Sequence, residues 1–151
     1  MDEAAFWAII AALNWKRAGD GDAVMAPAVK ALAKLAPADI VAFDDMLAAK
    51  LFALDGVVFA REIGQEAYRR PGEYFSGESF LFARCCAVAK GRELYESILA
   101  DPRRMPKDEG FEALLELATL AYEKKTGEDY AHVPTPDCET FANEAGWPRP
   151  Q

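Results

Sequence analysis

The stretch that decides the fold is "SFLFARCCAVAKGRELYESILADP", residues 79–102. Phe80, Cys86 or Ala87, and Val88 carry one apolar side at helical spacing, and Leu94, Tyr95, Ile98 and Leu99 resume it. Ser76 or Ser79 supplies the oxygen that caps such a helix. Gly91 either ends the first helix and begins a second, or sits inside one helix at a cost of about 1 kcal/mol. Asp101-Pro102 closes the run, because proline cannot continue a helix interior.

The same period extends on both sides. Toward the N-terminus, Asp2 caps a helix carrying Phe6, Ile9, Ile10 and Leu13, and Gly19 and Gly21 stop it. A second helix is expected over about 23–35, with Val29, Leu32 and Leu35 inward; Pro27 sits early in it, which places the start of its regular part nearer Ala26. Pro37 and Asp39 start a third. Ile40, Phe43, Leu47, Leu51 and Leu54 form its core stripe, Asp44, Asp45 and Lys50 its wet side, and it runs to about Phe59. Residues 61–78 show no period and hold turn signals at Arg70-Pro71-Gly72 and Ser76-Gly77. A helix over about 108–125 follows the linker "ADPRRMPKDEG", with Phe111, Leu114, Leu115, Ala118 and Tyr122 inward. The end, "EDYAHVPTPDCETFANEAGWPRPQ", is rich in proline and polar residues. Phe141 and Ala145 could share a short helix there. Period-two alternation is nearly absent. The expectation is an all-α fold: one compact bundle of five to six helices over residues 1–151, with an irregular tail, 131–151, docking Phe141 and Trp147 on the body.

Composition narrows function. The chain has 151 residues, 52% of them hydrophobic, with a net charge of −8, which is enough to bury a core without disulfides or metal. No run approaches the ~20 apolar residues that cross a bilayer, and "MDEAAFWAII" opens on acids rather than on the basic segment of a signal peptide. No membrane contact and a cytoplasmic location are therefore expected. An acidic chain lacks the basic face that tracks a phosphate backbone, so no nucleic-acid partner is expected. The three cysteines are an odd count, and adjacent Cys85 and Cys86 are poorly placed to bridge each other.

The charge is uneven. Residues 61–107 carry nine basic and seven acidic side chains, whereas residues 108–151 carry three and ten. Either the acidic third folds over the mildly basic middle, or it forms a surface for a basic partner.

Catalytic constellations are thin. The one histidine, His132, would have to serve any Ser-His-Asp triad, and no Gly-x-Ser-x-Gly surrounds a serine. Cys85, Cys86, His132 and Cys138 lack zinc-ligand spacing, because helix neighbours point about 100° apart. Glu62 and Glu66, Glu93 and Glu96, and Glu112 and Glu116 read as solvated faces. No metal, no cofactor and no catalytic residue is assigned. The polar group that stands out is Arg84, one turn after Phe80 within apolar sequence. A buried guanidinium must be paired. The structural expectation is an ion pair with a carboxylate from another helix. The functional alternative is a bidentate grip on an anion, joined by Arg92, Tyr74 and Tyr95.

These letters carry a resemblance. Phe80, Arg84, Gly91-Arg92-Glu93, Tyr95 and Asp101-Pro102 look like the F-x-x-x-R, G-R-E-x-Y and D-P core of the bacterial family called domain of unknown function 4240. "DEAAFWAII", "PADIVAFDDMLAAKLFALD" and "FEALLELATLAYEKKTGEDY" are similar to its other blocks, in order, over about 1–130. Where this chain has Ala83 and Cys86, many relatives carry an aromatic and a tryptophan, so the cysteine pair is not a family-wide site. The resemblance implies no catalytic residues. Some longer relatives are labelled molybdate-metabolism regulators, which implies a regulatory or binding role. The expected function is a non-enzymatic interaction or regulatory module, using the acidic C-terminal face or the groove beside residues 68–76. The alternatives are a small-anion binder or enzyme centred on Arg84 and Arg92, and an immunity-type or stress accessory protein.

Overall fold

A computed structural model describes residues 1–149. Seven α-helices are present among them, and no strand: α1 (Glu3–Ala11), α2 (Gly21–Ala33), α3 (Pro37–Ala53), α4 (Val57–Ala60), α5 (Gly77–Ala89), α6 (Arg92–Ala100) and α7 (Leu117–Thr126). Short 3-10 turns lie at Trp15–Arg17, Pro102–Arg104, Glu112–Glu116 and Glu144–Gly146.

Helix α5 is the axis of the core. Nine of its residues are buried, from Phe80 to Ala89, and a helix apolar all round must be enclosed. It packs on α1, α3, α6 and the Glu112–Glu116 turn, while α2 and α3 both pack on α7. Phe6 of α1 stacks on Phe43 of α3, with ring centroids 4.9 Å apart. Cys85 and Cys86 are free and buried in this core. Burial pushes the Cys85 thiol well up and that of Cys86 to about 11, so both behave as small apolar groups rather than nucleophiles.

Three of the helix starts follow the side-chain capping rule. Asp2 accepts the Ala5 N–H at 2.8 Å, Asp20 accepts that of Ala23 at 3.2 Å, and Ser76 accepts that of Ser79 at 3.1 Å. Gly91, at φ +112° and ψ 171°, separates α5 from α6. That backbone region is almost exclusive to glycine.

Four sequence expectations are corrected. The third helix stops at Ala53, and Asp55-Gly56 intervenes before α4 with Gly56 fully extended. The helix expected from 108 begins at Leu117, because Asp108 takes a left-handed φ of +55° and Glu112–Glu116 winds as 3-10. In α2, which starts at Gly21, the buried side chains are Val24, Met25, Ala28 and Leu32, with Val29 and Leu35 at the margin. Phe141 and Ala145 share no α-helix: Phe141 has φ +77°, and the one helical element after Thr126 in the described residues is the Glu144–Gly146 turn.

Gly91→Ala forces a Cβ into the glycine-only region. The expected loss is about 1–3 kcal/mol, read as a lower urea midpoint with an unchanged slope.

Candidate functional site: a buried arginine and aspartate that hold the C-terminal strap

The last turn of a helix leaves carbonyls without intrahelical partners and a partial negative charge. Arg84 projects from α5 to that end of α3. Its Nη1 donates to the Leu51 carbonyl at 3.0 Å and to the Cys138 carbonyl at 2.9 Å. Its Nη2 donates to Thr140 Oγ1 at 2.9 Å. Thr140 passes the bond on, donating to the Gly77 carbonyl at 2.6 Å. The guanidinium lies 4.7 Å from the centroid of the Phe80 ring. Arg84 is 0% exposed, and its Nε has no acceptor. Burial lowers its pKa, and the nearby Asp55 charge opposes that.

The expected ion pair is therefore replaced by a different arrangement. Among the described residues no carboxylate reaches Arg84 within bonding distance; main-chain carbonyls, a hydroxyl, an aromatic face and the α3 terminus hold the charge. The nearest compensating anion in effect, Asp55, is 1% exposed and serves the same segment by other means. It accepts the N–H of Phe141 at 3.2 Å, the N–H of Asn143 at 2.9 Å and the Trp147 indole N–H at 2.9 Å. Asn143 Nδ2 adds a bond to the Phe52 carbonyl at 3.0 Å. Gly146 lies so close to Asp55-Gly56 that a Cβ there would collide with the Asp55 carbonyl. Phe141 and Trp147 join Tyr68, Phe75 and Phe80 in one aromatic cluster.

Residues 130–147 thus form a strap over the end and flank of α3. Along the flank, Tyr130 Oη donates to Asp44 at 2.9 Å, while Asp45 meets His132 Nε2 at 2.7 Å and accepts the Thr135 N–H at 3.1 Å. Asp44 is 7% exposed, not on the wet side of α3. Burial raises its pKa, with the Tyr130 bond opposing. Burial acts on Asp45 as well, but the bonds from His132 and Thr135 outweigh it and hold that carboxyl below its ordinary value. A small cavity of 160 Å³ lies between α3, α7 and the strap, lined in part by Asp44, Leu115, Tyr130, His132 and Cys138. The described residues bring no three His, Cys, Asp or Glu side chains together as metal ligands.

The four residues proposed as a ligand site do not converge. Arg84 holds the strap. Arg92, on α6, is paired with Glu96 at 2.9 Å. Tyr74 is 90% exposed in the loop before α5. Tyr95 is buried in the core, its hydroxyl donating to the Lys50 carbonyl at 2.9 Å. Its ring, with Phe6 and Trp7, surrounds the Lys50 amine at 5.6–5.9 Å, and Glu3 binds that amine.

Fold and site define an all-α protein whose central arginine and a loop aspartate clamp a C-terminal strap. The family model described as "Protein of unknown function (DUF4240)" matches residues 1–124, so the chain belongs to that family. The match ends within α7 and leaves the strap outside. No curated protein and no solved structure matches the chain. Among the described residues no helix is long and apolar enough to cross a membrane.

Two outcomes are expected. Arg84→Leu removes three charge-assisted bonds and leaves the Cys138 carbonyl without that donor, for a loss of about 2–4 kcal/mol; an unchanged melting temperature would show that the clamp carries no stability. Asp44 has a folded pKa above its unfolded one, so its protonation favours the folded state, and that contribution is lost as pH rises through the folded value. Asp44→Asn keeps an acceptor for Tyr130 and removes the titration. Its stability relative to wild type should improve from pH 3 to pH 7 in urea unfolding.

Proposed function

We propose that the protein is a non-catalytic binding module that presents its acidic C-terminal surface to a basic protein partner. The single observation that carries this reading is the state of the acids in residues 108–151. All ten are exposed, and among the described residues Glu109 alone pairs with a base, Lys90 at 3.4 Å. Four of the nine basic side chains in residues 61–107 pair with acids of that same segment, in Arg70–Glu73, Arg92–Glu96, Arg103–Asp101 and Lys107–Glu62. Uncompensated exposed charge of one sign steers oppositely charged partners and discriminates against like-charged ones. An open hollow of 430 Å³ on this side is lined by Glu66, Asp108, Glu109 and Glu112 without a basic side chain, a shape that accepts a lysine or arginine.

The test is affinity capture from the native host with wild type and with a variant carrying Glu→Gln at 112, 116, 123 and 128. Basic proteins should be retained by the wild type at low salt, released at several hundred millimolar salt, and lost from the variant while its circular dichroism is unchanged. Equal retention by both chains would overturn the reading.

A further inference from the structure

The strap displays the chemistry of the groove beneath it. Arg84 offers donors to a main-chain carbonyl and, two residues later, to a hydroxyl. Asp55 accepts main-chain N–H groups from the next residue and from the one two further on, then an indole N–H. The Asp55-Gly56 backbone admits only a glycine opposite it, and the aromatic wall receives one phenyl ring, at Phe75, and one indole ring, at Phe80. Three of these six features read main chain or the absence of a side chain. A groove of this kind recognises an extended segment by its backbone and sorts it by a few side chains.

We propose that the groove between the end of α3 and α5 is a recognition site for extended peptide segments of strap-like chemistry, and that residues 138–147 are its built-in occupant. The segment it fits has a hydroxyl residue followed by an aromatic one, then a Gly-Trp step six residues after the hydroxyl, matching Thr140-Phe141 and Gly146-Trp147. Two observations favour a replaceable occupant over a permanent part of the core. The groove residues Asp55 and Arg84 lie inside the family-matched region, and the occupant lies outside it. The strap also leaves a buried donor of its principal anchor, Arg84 Nε, without an acceptor, so it does not saturate the site. The proposal is independent of the acidic surface, whose neutralisation leaves every groove contact in place.

The probe is a fluorescent synthetic peptide of residues 131–149, added to the full chain. In wild type the strap competes from within the same molecule at high effective concentration. Trp147→Ala loosens that strap and leaves the groove intact. The variant should bind the peptide at least tenfold more tightly than wild type, and Asp55→Asn added to it should abolish the gain. A peptide with the same residues in scrambled order should not bind. Should Trp147→Ala fail to fold by circular dichroism, Gly146→Ala loosens the same end by steric clash and serves in its place. Equal affinity for wild type and variant, or binding that survives Asp55→Asn, would overturn the proposal. So would a wild-type dimer that forms with rising concentration through exchanged straps, because the occupant would then be a second copy of the chain.

Discussion

A charge buried without a counter-charge in contact has to be held by oriented dipoles, and Arg84 shows how a small helical protein arranges this. The guanidinium sits where α3 ends and shares the Leu51 carbonyl with the Leu54 N–H that closes the last turn. Removing it from water costs several kcal/mol, and the α3 terminus, Thr140, the Cys138 carbonyl and the Phe80 face offset that cost together. None of these partners suffices alone, so the positions of α3, α5 and the strap are coupled. The core geometry around α5 follows from that coupling: Phe80 must lie flat beneath the cation, Gly77 must accept from Thr140, and Leu51 must fall in the final turn of α3.

Asp55 completes the arrangement from the opposite sign. It accepts two main-chain N–H groups and an indole N–H, which satisfies a fully buried carboxylate without a basic residue in contact. Arginine and aspartate therefore act as two ends of one clamp on the strap, attracting each other at a distance while each binds a different polar set. Buried charges held this way specify a unique arrangement, since a shifted strap would leave both of them unsatisfied.

Much of this was legible in the sequence, and the limits have physical causes. The core stripe of α3 and the role of Gly91 could be read because helical period and positive φ leave direct marks in residue type. Arg84 stood out as polar among apolar neighbours, and Phe141 and Trp147 as aromatics needing a surface. Its partners could not be read, because carbonyls carry no signature in the letters and Thr140 lies 56 residues away. Asp55 carried no signal of its own, because it fell inside a helix expected to run to about Phe59, and its N–H partners leave no mark in the letters. Asp44 and Asp45 were both assigned to water, yet Asp44 turns inward because Tyr130 arrives from the far end of the chain to meet it. The helix over 108–116 failed because Asp108 adopts a left-handed backbone that helical periodicity cannot reveal.

The order of synthesis gives the clamp a further meaning. Residues 55 and 84 leave the ribosome well before residues 138–147, and chains fold from the N-terminus as they emerge. For that interval α3 and α5 can pair while Arg84 and Asp55 await most of their partners. A nascent chain with an open, charged groove next to aromatic side chains is a target for chaperones and a site of premature association. Arrival of the strap closes that window, so a later-made segment acts as the seal on the elements made before it.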